Sequence, residues 1–386
     1  MMKNKKILFV TGTRADYAKI RPIFKFLYEN TKYDIYIYIT GMHLIKKLGN
    51  TQYQVEMDLR TNFRNIHLIT CKKRILYKNS MIKNFYLMCA DFEKVIKKEL
   101  FDMVFVHGDR LEALATAIVS SVNNVLVCQI EAGEVSGSID ENIRHSITKF
   151  SHKFLVNDEL ALKRVMQLGE PKENIYIIGV TSIQNENSTK KIYNILNKYK
   201  VISKKYGILM YHPVTTLNSG DNRKNILNIM LQLSCTENKY IVIYPNNDKY
   251  SDEIISVYEK YNNEKFVFYK SLPFDEFKII LENAKFIVGN SSCGLKEAPY
   301  YNVQTIDIGS RQANRIIHHN FPSIHHIENL DDIYKKIVEI EHNLIKNELN
   351  YKDIGNNFYN KMKEIAKEDS DFWNVNVQKS FIMLEE

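Results

Sequence analysis

The chain has 386 residues, of which 45% are hydrophobic and 25% charged, a composition typical of globular proteins that excludes a disordered chain. Its net charge of +8 comes from 53 basic and 45 acidic residues that are dispersed along the sequence. No basic stripe or zinc-finger spacing is present, so a nucleic-acid-binding protein is not expected.

The cysteines and the apolar runs indicate where the protein functions. The five cysteines are widely spaced and form no C-x-x-C pair, which argues against a disulfide framework and against a zinc site. No apolar run approaches the roughly 20 residues that are needed to cross a bilayer. The first strand-like run begins at Ile7, which leaves no signal peptide to predict. These features predict a cytoplasmic protein that does not enter a membrane.

Short apolar runs alternate with helix-length stretches through the first half of the chain. We predict buried strands at residues 7–10, 35–39, 103–106, 126–130, 153–156 and 175–178. The predicted helices between them cover residues 17–28, 82–99, 111–122, 139–150 and 159–168. Because parallel strands need crossover connections, this alternation predicts a doubly wound α/β domain.

The alternation restarts after the polar segment 185–205. The second set of predicted strands covers residues 207–211, 240–244, 266–269, 286–288 and 305–308. Its predicted helices cover residues 223–233, 251–261, 275–283, 294–301 and 330–344. Since 386 residues exceed one compact core, we predict two Rossmann-like domains.

The first predicted domain covers residues 1–180 and the second covers residues 181–370. The last segment, residues 371–386, is predicted to be a helix that packs back on the first domain. We expect the ligand in the interdomain cleft, outside the carboxyl ends of the strands.

Three carboxylates lie where α/β enzymes carry their reactive groups. Asp109, within the motif His-Gly-Asp-Arg, and Glu131 each follow a predicted strand. Asp140 lies at the start of the next helix, and Arg144 follows about one turn later. Facing carboxylates shift each other's pKa values apart, which suits one acid and one base. The same residues would also suit helix caps and surface ion pairs.

Groups that suit a phosphorylated ligand follow other predicted strands. Gly12 permits a tight turn before a helix whose start offers free amides and the Arg14 guanidinium to an anion. This is not a dinucleotide fingerprint, because G-x-G-x-x-G is absent. Further along, His212 ends one strand, and Ser291 and Ser292 follow another with hydroxyls and amides.

Two more residues extend this predicted phosphate site. Arg311 ends a further strand and can reach the same phosphates. Glu297 is available to accept hydrogen bonds from ribose hydroxyls.

Seven ordered motifs resemble those of the hydrolysing UDP-N-acetylglucosamine 2-epimerases of sialic-acid biosynthesis. They lie at residues 12–16 (GTRAD), 107–110 (HGDR), 133–137 (GEVSG), 143–146 (IRHS), 212–216 (HPVTT), 289–294 (GNSSCG) and 311–312 (RQ). The resemblance runs nearly end to end and includes residues 372–379 (FWNVNVQK).

The resemblance implies a glycosyltransferase-B-type fold that binds UDP. It also implies anti elimination of UDP from UDP-GlcNAc to give 2-acetamidoglucal. Water then adds at the anomeric carbon and C2 is reprotonated, so that the products are N-acetylmannosamine and UDP.

The resemblance also implies roles for individual residues. The catalytic trio would be Asp109, Glu131 and Asp140, without a separate role assigned to each. Residues at positions that hold the substrate are Arg14, Asp16, His43, Arg144, His212, Phe277, Ser291, Ser292, Glu297 and Arg311. Among them, Phe277 lies where a ring commonly packs against uracil. No metal or nicotinamide cofactor is expected, because arginines and helix dipoles can neutralise the leaving group. The family tends to form homodimers through the first domain.

One departure from the family pattern leaves the sugar open. The usual Ser-Pro-Asp-type turn is replaced here by residues 180–184 (VTSIQ). A close relative of the family acts on the UDP-linked 2,4-diacetamido-2,4,6-trideoxyhexose of legionaminic acid synthesis. A non-hydrolysing epimerase, a UDP-sugar glycosyltransferase and a non-catalytic nucleotide-sugar-binding protein are further alternatives. The segment 139–144 (IDENIR) follows the hydrolysing pattern.

Overall fold

The computed structural model describes residues 4–45, 51–76, 79–136, 139–181, 189–245, 248–261, 263–312, 321–343 and 351–380. The chain forms two compact units. The first comprises residues 1–134, 139–184 and 352–386, and the second comprises residues 135–138 and 185–351. This division reflects how the residues pack. The domain limits predicted at residues 180 and 370 stay a prediction. Within the described ranges, no helix is long and apolar enough to cross a membrane.

A sheet of seven parallel strands forms the centre of the first unit. The strands are β1 Lys6–Thr11, β2 Asp34–Ile39, β3 His67–Thr70, β4 Met103–His107, β5 Leu126–Ile130, β6 Lys153–Val156 and β7 Ile175–Ile177. Their order is β3-β2-β1-β4-β5-β6-β7, so the winding reverses direction between β1 and β4. The inner strands are nearly continuous apolar runs, as expected when helices cover both faces of a sheet.

Six helices connect these strands. They are α1 Arg14–Asn30, α2 Gln52–Asn62, α3 Met81–Lys98, α4 Leu111–Val122, α5 Asp140–Phe150 and α6 Glu159–Gln167. Two apolar clusters form the main core of the unit, one containing Phe9 and Phe105 and the other containing Leu8 and Val104. Neighbouring residues of one strand belong to different clusters because side chains alternate across a strand.

The second unit repeats the doubly wound plan with six parallel strands. They are β8 Tyr206–Met210, β9 Lys239–Ile243, β10 Phe266–Tyr269, β11 Phe286–Gly289, β12 Gln304–Ile308 and β13 Ile324–Ile327, in the order β10-β9-β8-β11-β12-β13. The helices are α7 Thr189–Lys198, α8 Asp221–Ser234, α9 Ser251–Tyr258, α10 Phe274–Glu282, α11 Cys293–Lys296 and α12 Ile333–His342. The predicted class of two doubly wound α/β domains is confirmed.

Some elements were not predicted. Strands β3 and β13 lie at sheet edges and are partly exposed, so their sequences lack a continuous apolar run. Helices α2 and α7 are short and polar in composition. The helix predicted over residues 294–301 is divided into α11 and a 3-10 turn over Ala298–Tyr301, where Pro299 cannot donate a backbone hydrogen bond.

The helix predicted over residues 371–386 is wrong for the part that is described. The last helix is α13, Tyr351–Ile365, whereas residues 371–380 form turns and bends. Phe372 is fully buried and stacks on Phe105 of β4 with 6.1 Å between ring centroids. Phe372 thus attaches this segment to the core without a helix. Residues 381–386 lie outside the described ranges.

Candidate active site

Candidate site residues of the first unit follow three adjacent strands. Gly12 follows β1, Asp109 follows β4 after a single glycine, and Glu131 directly follows β5. The backbone N–H of Gly108 donates to the carbonyl of Ile130 at 3.1 Å, so the loops after β4 and β5 begin at the same level. Asp109 and Glu131 therefore leave the same edge of the sheet.

Glu131 is buried and held in an unusual backbone conformation. Its φ of 58° lies in the left-handed region, which costs free energy for a residue with a side chain. Its Oε1 lies 3.2 Å from Nζ of Lys19, and its Oε2 lies 3.5 Å from Nε2 of His107. The fold thus accepts backbone strain at a carboxylate that faces two basic side chains.

His107 connects the loops after β1 and β5. Its Nδ1 lies 3.2 Å from Oδ1 of Asp16, opposite the contact with Glu131. Burial lowers the pKa of His107, but the interactions with Asp16 and Glu131 outweigh it and raise the pKa to about 9. At neutral pH the ring is therefore an imidazolium, which donates from Nδ1 to Asp16 and lies with Nε2 at ion-pair distance from Glu131.

Asp16, which was predicted to contact the substrate, has a structural role at the start of α1. Its Oδ2 accepts from the backbone N–H groups of Gly12 at 3.1 Å and Thr13 at 2.9 Å. The Thr13 hydroxyl accepts from the N–H of Asp16 at 3.2 Å, which completes a capping box at the start of α1. Asp16 thus fixes the turn that presents Arg14, a half-buried residue at the first position of α1. Its predicted contact with substrate stays a prediction.

Helix α5 carries two of the predicted residues. Arg144 is 1% exposed; it donates through Nη2 to Oδ2 of Asp109 and through Nη1 to the carbonyl of Glu134 at 2.9 Å. Asp140 is the first residue of α5 and is half-buried. The positive end of the helix dipole favours a carboxylate at this position. The contact between Arg144 and Asp109 connects this helix to the loop after β4.

His43 lies deeper than a ligand-binding residue would be expected to lie. It is fully buried, with Nε2 2.9 Å from the hydroxyl of Thr11 and Nδ1 2.7 Å from the hydroxyl of Thr51. Burial lowers its pKa to about 4 although Asp16 opposes the change, so the ring is neutral at physiological pH. His43 joins the end of β1 to the start of α2, and its predicted contact with substrate stays a prediction.

The side chain of Glu112 fills the space between two glycines near this site. A Cβ at either Gly12 or Gly41 would lie 2.6 Å from Cγ of Glu112. Gly41 also has a φ of 60°, so a larger residue would be strained there as well as crowded. These glycines let Glu112 of α4 pack below the turn that begins α1.

In the second unit, Asn290 joins the loops after three adjacent strands. Its side chain accepts from the N–H of His212 at 2.7 Å and donates to the His212 carbonyl at 2.8 Å. Its own carbonyl accepts from Nη1 of Arg311 at 3.3 Å and from Nε2 of Gln312 at 2.9 Å. Because Asn290 is fully buried, it fixes the relative positions of the loops after β8, β11 and β12.

The close approach of β8 and β11 depends on Gly289. Its φ is 140°, and a Cβ there would collide with the carbonyl of Met210. The loop that follows presents Ser291, which is buried, and Ser292, which is half-buried. The thiol of Cys293 lies 3.3 Å from the Ser291 hydroxyl. The two serines therefore lie just after a residue whose position is fixed by the close approach of β8 and β11.

The remaining predicted ligands are also in the second unit. Arg311 has a second contact, because its Nη2 lies 4.0 Å from Oδ2 of Asp248 in the segment after β9. Glu297 is half-buried between α11 and the 3-10 turn that follows. Phe277, on α10, is half-buried against the apolar cluster that contains Ile279. The predicted contacts of these residues with a nucleotide stay predictions.

The departure at residues 180–184 is only partly described. Val180 and Thr181 are buried, and the Thr181 hydroxyl donates to the carbonyl of Lys19 at 2.9 Å. This hydrogen bond supports the helix position from which Lys19 reaches Glu131. Residues 182–184 lie outside the described ranges.

Three central residues of these networks were not predicted as site residues. His107 belongs to a recognised motif, but its sequence position alone did not show its contacts with two carboxylates. Lys19 lies three residues after Asp16, on a helix face that is otherwise apolar, and this spacing was the available signal. Asn290 belongs to the motif at residues 289–294, but its sequence position alone did not show that it joins three loops. Among the described residues, no group of three or more His, Cys, Asp or Glu side chains is arranged to hold a metal ion.

The chain is similar along most of its length to known proteins. A profile of the UDP-N-acetylglucosamine 2-epimerase family matches residues 25–366. The UDP-N-acetylglucosamine 2-epimerase of Neisseria meningitidis serogroup B is 35% identical over 387 residues, covering 98% of this chain and 99% of that protein. The UDP-N,N'-diacetylbacillosamine 2-epimerase (hydrolyzing) of Legionella pneumophila is 33% identical, covering 80% of this chain and 82% of that protein.

A solved structure shows the same fold. The UDP-GlcNAc 2-epimerase of Methanocaldococcus jannaschii, in complex with UDP-GlcNAc and UDP, superimposes with a TM-score of 0.72 at 22% identity, covering 89% of this chain and 94% of that one. The predicted glycosyltransferase-B-type fold class is confirmed. The family profile and the curated relatives identify an enzyme of nucleotide-sugar metabolism. The chain belongs to the UDP-N-acetylglucosamine 2-epimerase family.

Proposed function

We propose that this enzyme is a hydrolysing UDP-GlcNAc 2-epimerase, which converts UDP-GlcNAc and water to N-acetylmannosamine and UDP for sialic-acid biosynthesis. The observation that carries the proposal is the group of carboxylates in the first unit. Asp109 and Glu131 leave one sheet edge, and Asp140 begins the helix whose Arg144 contacts Asp109. Such a group can both remove and return protons at one sugar.

The proposed reaction has two steps. First, a carboxylate takes the C2 proton while the bond between C1 and the diphosphate oxygen breaks, so that UDP leaves with the electron pair and 2-acetamidoglucal forms. Second, a carboxylate takes a proton from water, the water oxygen bonds to C1, and C2 receives a proton on the opposite face. Asp109, Glu131 and Asp140 share these transfers, with no single role assigned to each.

Neighbouring cations support acid–base catalysis by these carboxylates. His107 and Lys19 lie beside Glu131, and Arg144 lies beside Asp109. A fixed cation favours the charged form of the carboxylate that it contacts, and it costs no reorganisation during the reaction. We assign Arg144 to the sugar-binding part of the site, and we propose that Asp16 and His43 act on the substrate through the turn and loop that they hold in place.

The second unit supplies the proposed UDP ligands. We assign the diphosphate to His212, Ser291, Ser292 and Arg311, together with Arg14 of the first unit. Glu297 would accept hydrogen bonds from ribose, and Phe277 would pack against uracil. The support for this assignment is the buried Asn290, which holds the backbones that present His212, Ser291 and Arg311.

The test is a product assay by NMR in deuterated water. Purified enzyme with UDP-GlcNAc is expected to release free UDP and N-acetylmannosamine that carries deuterium at C2. UDP-ManNAc as the product would identify a non-hydrolysing epimerase. UDP release without inversion at C2, or transfer of the sugar to an acceptor, would overturn the proposal.

A second candidate substrate is the UDP-linked 2,4-diacetamido-2,4,6-trideoxyglucose of the legionaminic acid pathway. It is favoured by the similarity to the Legionella enzyme named above and by the unusual turn at residues 180–184. Side-by-side kcat/KM values for the two UDP-sugars decide between them. A preference for the diacetamido sugar of more than about tenfold would select this second candidate.

We also propose a cytoplasmic homodimer. The support for a dimer is the apolar surface of α3, where Met81, Ile82 and Tyr86 are 48%, 72% and 67% exposed. Light scattering of the wild type and of Ile82→Lys tests it, because a charge at the centre of a dimer interface is expected to give a monomer. The five cysteines, none of which is in a disulfide, support a reducing compartment.

A further inference from the structure

The segment of residues 371–380, here called the C-terminal strap, contacts the end of α5 that lies farthest from its candidate catalytic residues. Nζ of Lys379 donates to three carbonyls there, those of Thr148 at 3.2 Å, Lys149 at 3.4 Å and Ser151 at 2.8 Å. The last carbonyls of a helix have no partner within the helix, and a cation there also offsets the negative end of its dipole. Lys379 therefore acts as a C-terminal cap that comes from a distant part of the chain.

The Lys379 ammonium is held in place from the other side. It lies 2.5 Å from Oε2 of Glu170, whose side chain is 1% exposed. The other oxygen of Glu170 lies 3.3 Å from Nζ of Lys149. Because the buried Glu170 carboxylate has a fixed position after α6, it fixes Lys379 and hence the end of α5.

The strap is attached to the body of the first unit at two further points. The carbonyl of Val377 accepts from Nε2 of His152 at 2.8 Å, while Nδ1 of the same ring accepts from the N–H of Val127 in β5 at 3.0 Å. The carbonyl of Asp371 accepts from Nζ of Lys153 at 3.1 Å. Phe372 fills the core beside β4. The strap thus has a fixed course, and Lys379 is the only one of these described anchors that contacts the carbonyls of α5.

This cap matters because α5 carries two of the candidate site residues. The helix has 11 residues and a length of about 16 Å. It begins at Asp140 and includes Arg144, which contacts Asp109. The N-cap residue Ile139 makes no side-chain capping hydrogen bond. A helix moves largely as one piece, so that fixing one end positions the other.

We propose that Lys379 is a positioning residue of the reaction: by capping α5 it holds Asp140 and Arg144 in register with Asp109. This proposal rests on the proposed function, since it gives α5 a part in turnover. The expected consequence is a loss of kcat without a loss of substrate affinity. Displacement of a reacting group by about 1 Å can cost up to about 100-fold in rate.

The test compares Lys379→Met with two related variants. We expect Lys379→Met to lower kcat about tenfold with KM changed by less than about twofold, and Lys379→Arg to recover most of the loss because it keeps the charge and the donors. Lys153→Met is the matched control, since it removes another attachment of the strap, to the Asp371 carbonyl, that does not touch α5. It is expected to lower thermal stability similarly and to leave kcat unchanged.

Hydrogen exchange supplies a readout that does not depend on activity. Amides of α5 are expected to exchange faster in Lys379→Met than in Lys153→Met. Equal kcat losses in the two variants, or unchanged exchange of α5, would overturn the proposal. If Lys379→Met does not fold, Glu170→Gln removes the charge that holds the ammonium and must give a smaller kcat loss of the same kind. If the wild type does not act on UDP-GlcNAc, the proposed function fails, and the exchange experiment still decides the capping role.

Discussion

The two units share one topology but differ in the groups that connect the loops at the ends of their strands. In the first unit, ionisable side chains make the connection, with His107 between Asp16 and Glu131. In the second unit, the neutral side chain and carbonyl of Asn290 make most of it, and the Arg311 guanidinium adds to it. Acid–base chemistry needs groups that change charge, whereas a ligand of fixed charge needs donors that do not move. The same fold thus supports two kinds of site through the choice of connecting residue.

The largest effect is expected from Glu131→Gln, which removes a charge and keeps the shape. Turnover should fall about 10³-fold, because general acid–base catalysis contributes about 10² to 10⁴ in rate. UDP binding, measured by calorimetry, should be nearly unchanged, since the proposed UDP ligands lie mostly in the second unit. The control is Glu159→Gln on the exposed start of α6. Retention of more than a tenth of the wild-type turnover would contradict the assigned role.

The effect of His107→Gln on stability should depend on pH, which would distinguish the charged network of the first unit from the neutral network around Asn290. The folded pKa of about 9 is raised above the ordinary value of 6.5, so the charged ring stabilises the fold fully below pH 6.5 and this stabilisation is lost as pH rises through 9. The difference between the two pKa values corresponds to about 3 kcal/mol in the free energy of unfolding.

Urea unfolding at several pH values measures the effect of His107→Gln. The difference from wild type should be largest below pH 6.5 and should shrink above pH 9. His145→Gln is the control, because the His145 side chain is 40% exposed and its Nε2 lies 3.9 Å from Oε1 of Glu141. A difference that stays constant across this pH range would show that His107 contributes through packing and not through charge.

Asn290→Ala tests the neutral network of the second unit. It leaves buried backbone groups of His212 without their partners, which costs about 2 kcal/mol in the free energy of unfolding. The affinity for UDP should fall about tenfold, which corresponds to about 1.4 kcal/mol. In contrast to His107→Gln, both effects should be the same on either side of neutral pH. Asn228→Ala, which removes an exposed hydrogen bond to Asp331, is the control.

The smallest effect is expected from Arg311→Lys. Lysine keeps the charge but loses the planar guanidinium that contacts both the Asn290 carbonyl and Asp248. Calorimetry should show UDP binding about threefold to tenfold weaker, with the free energy of unfolding nearly unchanged. Arg223→Lys, at an exposed position of α8, should have no effect. Equal binding by wild type and Arg311→Lys would remove Arg311 from the proposed phosphate ligands.

Much of the fold could be predicted because buried parallel strands are continuous apolar runs. Strands such as β1 and β4 are recognisable from their own residues, and the helices between them fix a parallel arrangement. The edge strand β13 was missed because His325 and His326 break its apolar pattern. The helix predicted over residues 371–386 is absent from the part that is described, where Phe372 inserts into the core, and α13 over Tyr351–Ile365 was not predicted.

The candidate site was predictable in position but not in its contacts. Asp109, Glu131 and Arg311 could be identified because each follows a strand, and in parallel sheets such positions share one edge. Nothing local indicated that His107 would touch Asp16, since 91 residues separate them. The burial of His43 likewise depends on α2, an element that the sequence pattern did not reveal.

The sequence by itself therefore determined the alternation of strands and helices, the strand-end placement of the acids and the resemblance to the epimerases. Only the tertiary structure decided which partner each charged group has: Lys19 and His107 for Glu131, Arg144 for Asp109, and Lys379 for the end of α5. The physical reason is that secondary structure and strand-end position follow from residues near in sequence. Burial and ion pairing depend instead on groups that meet only when distant segments pack together.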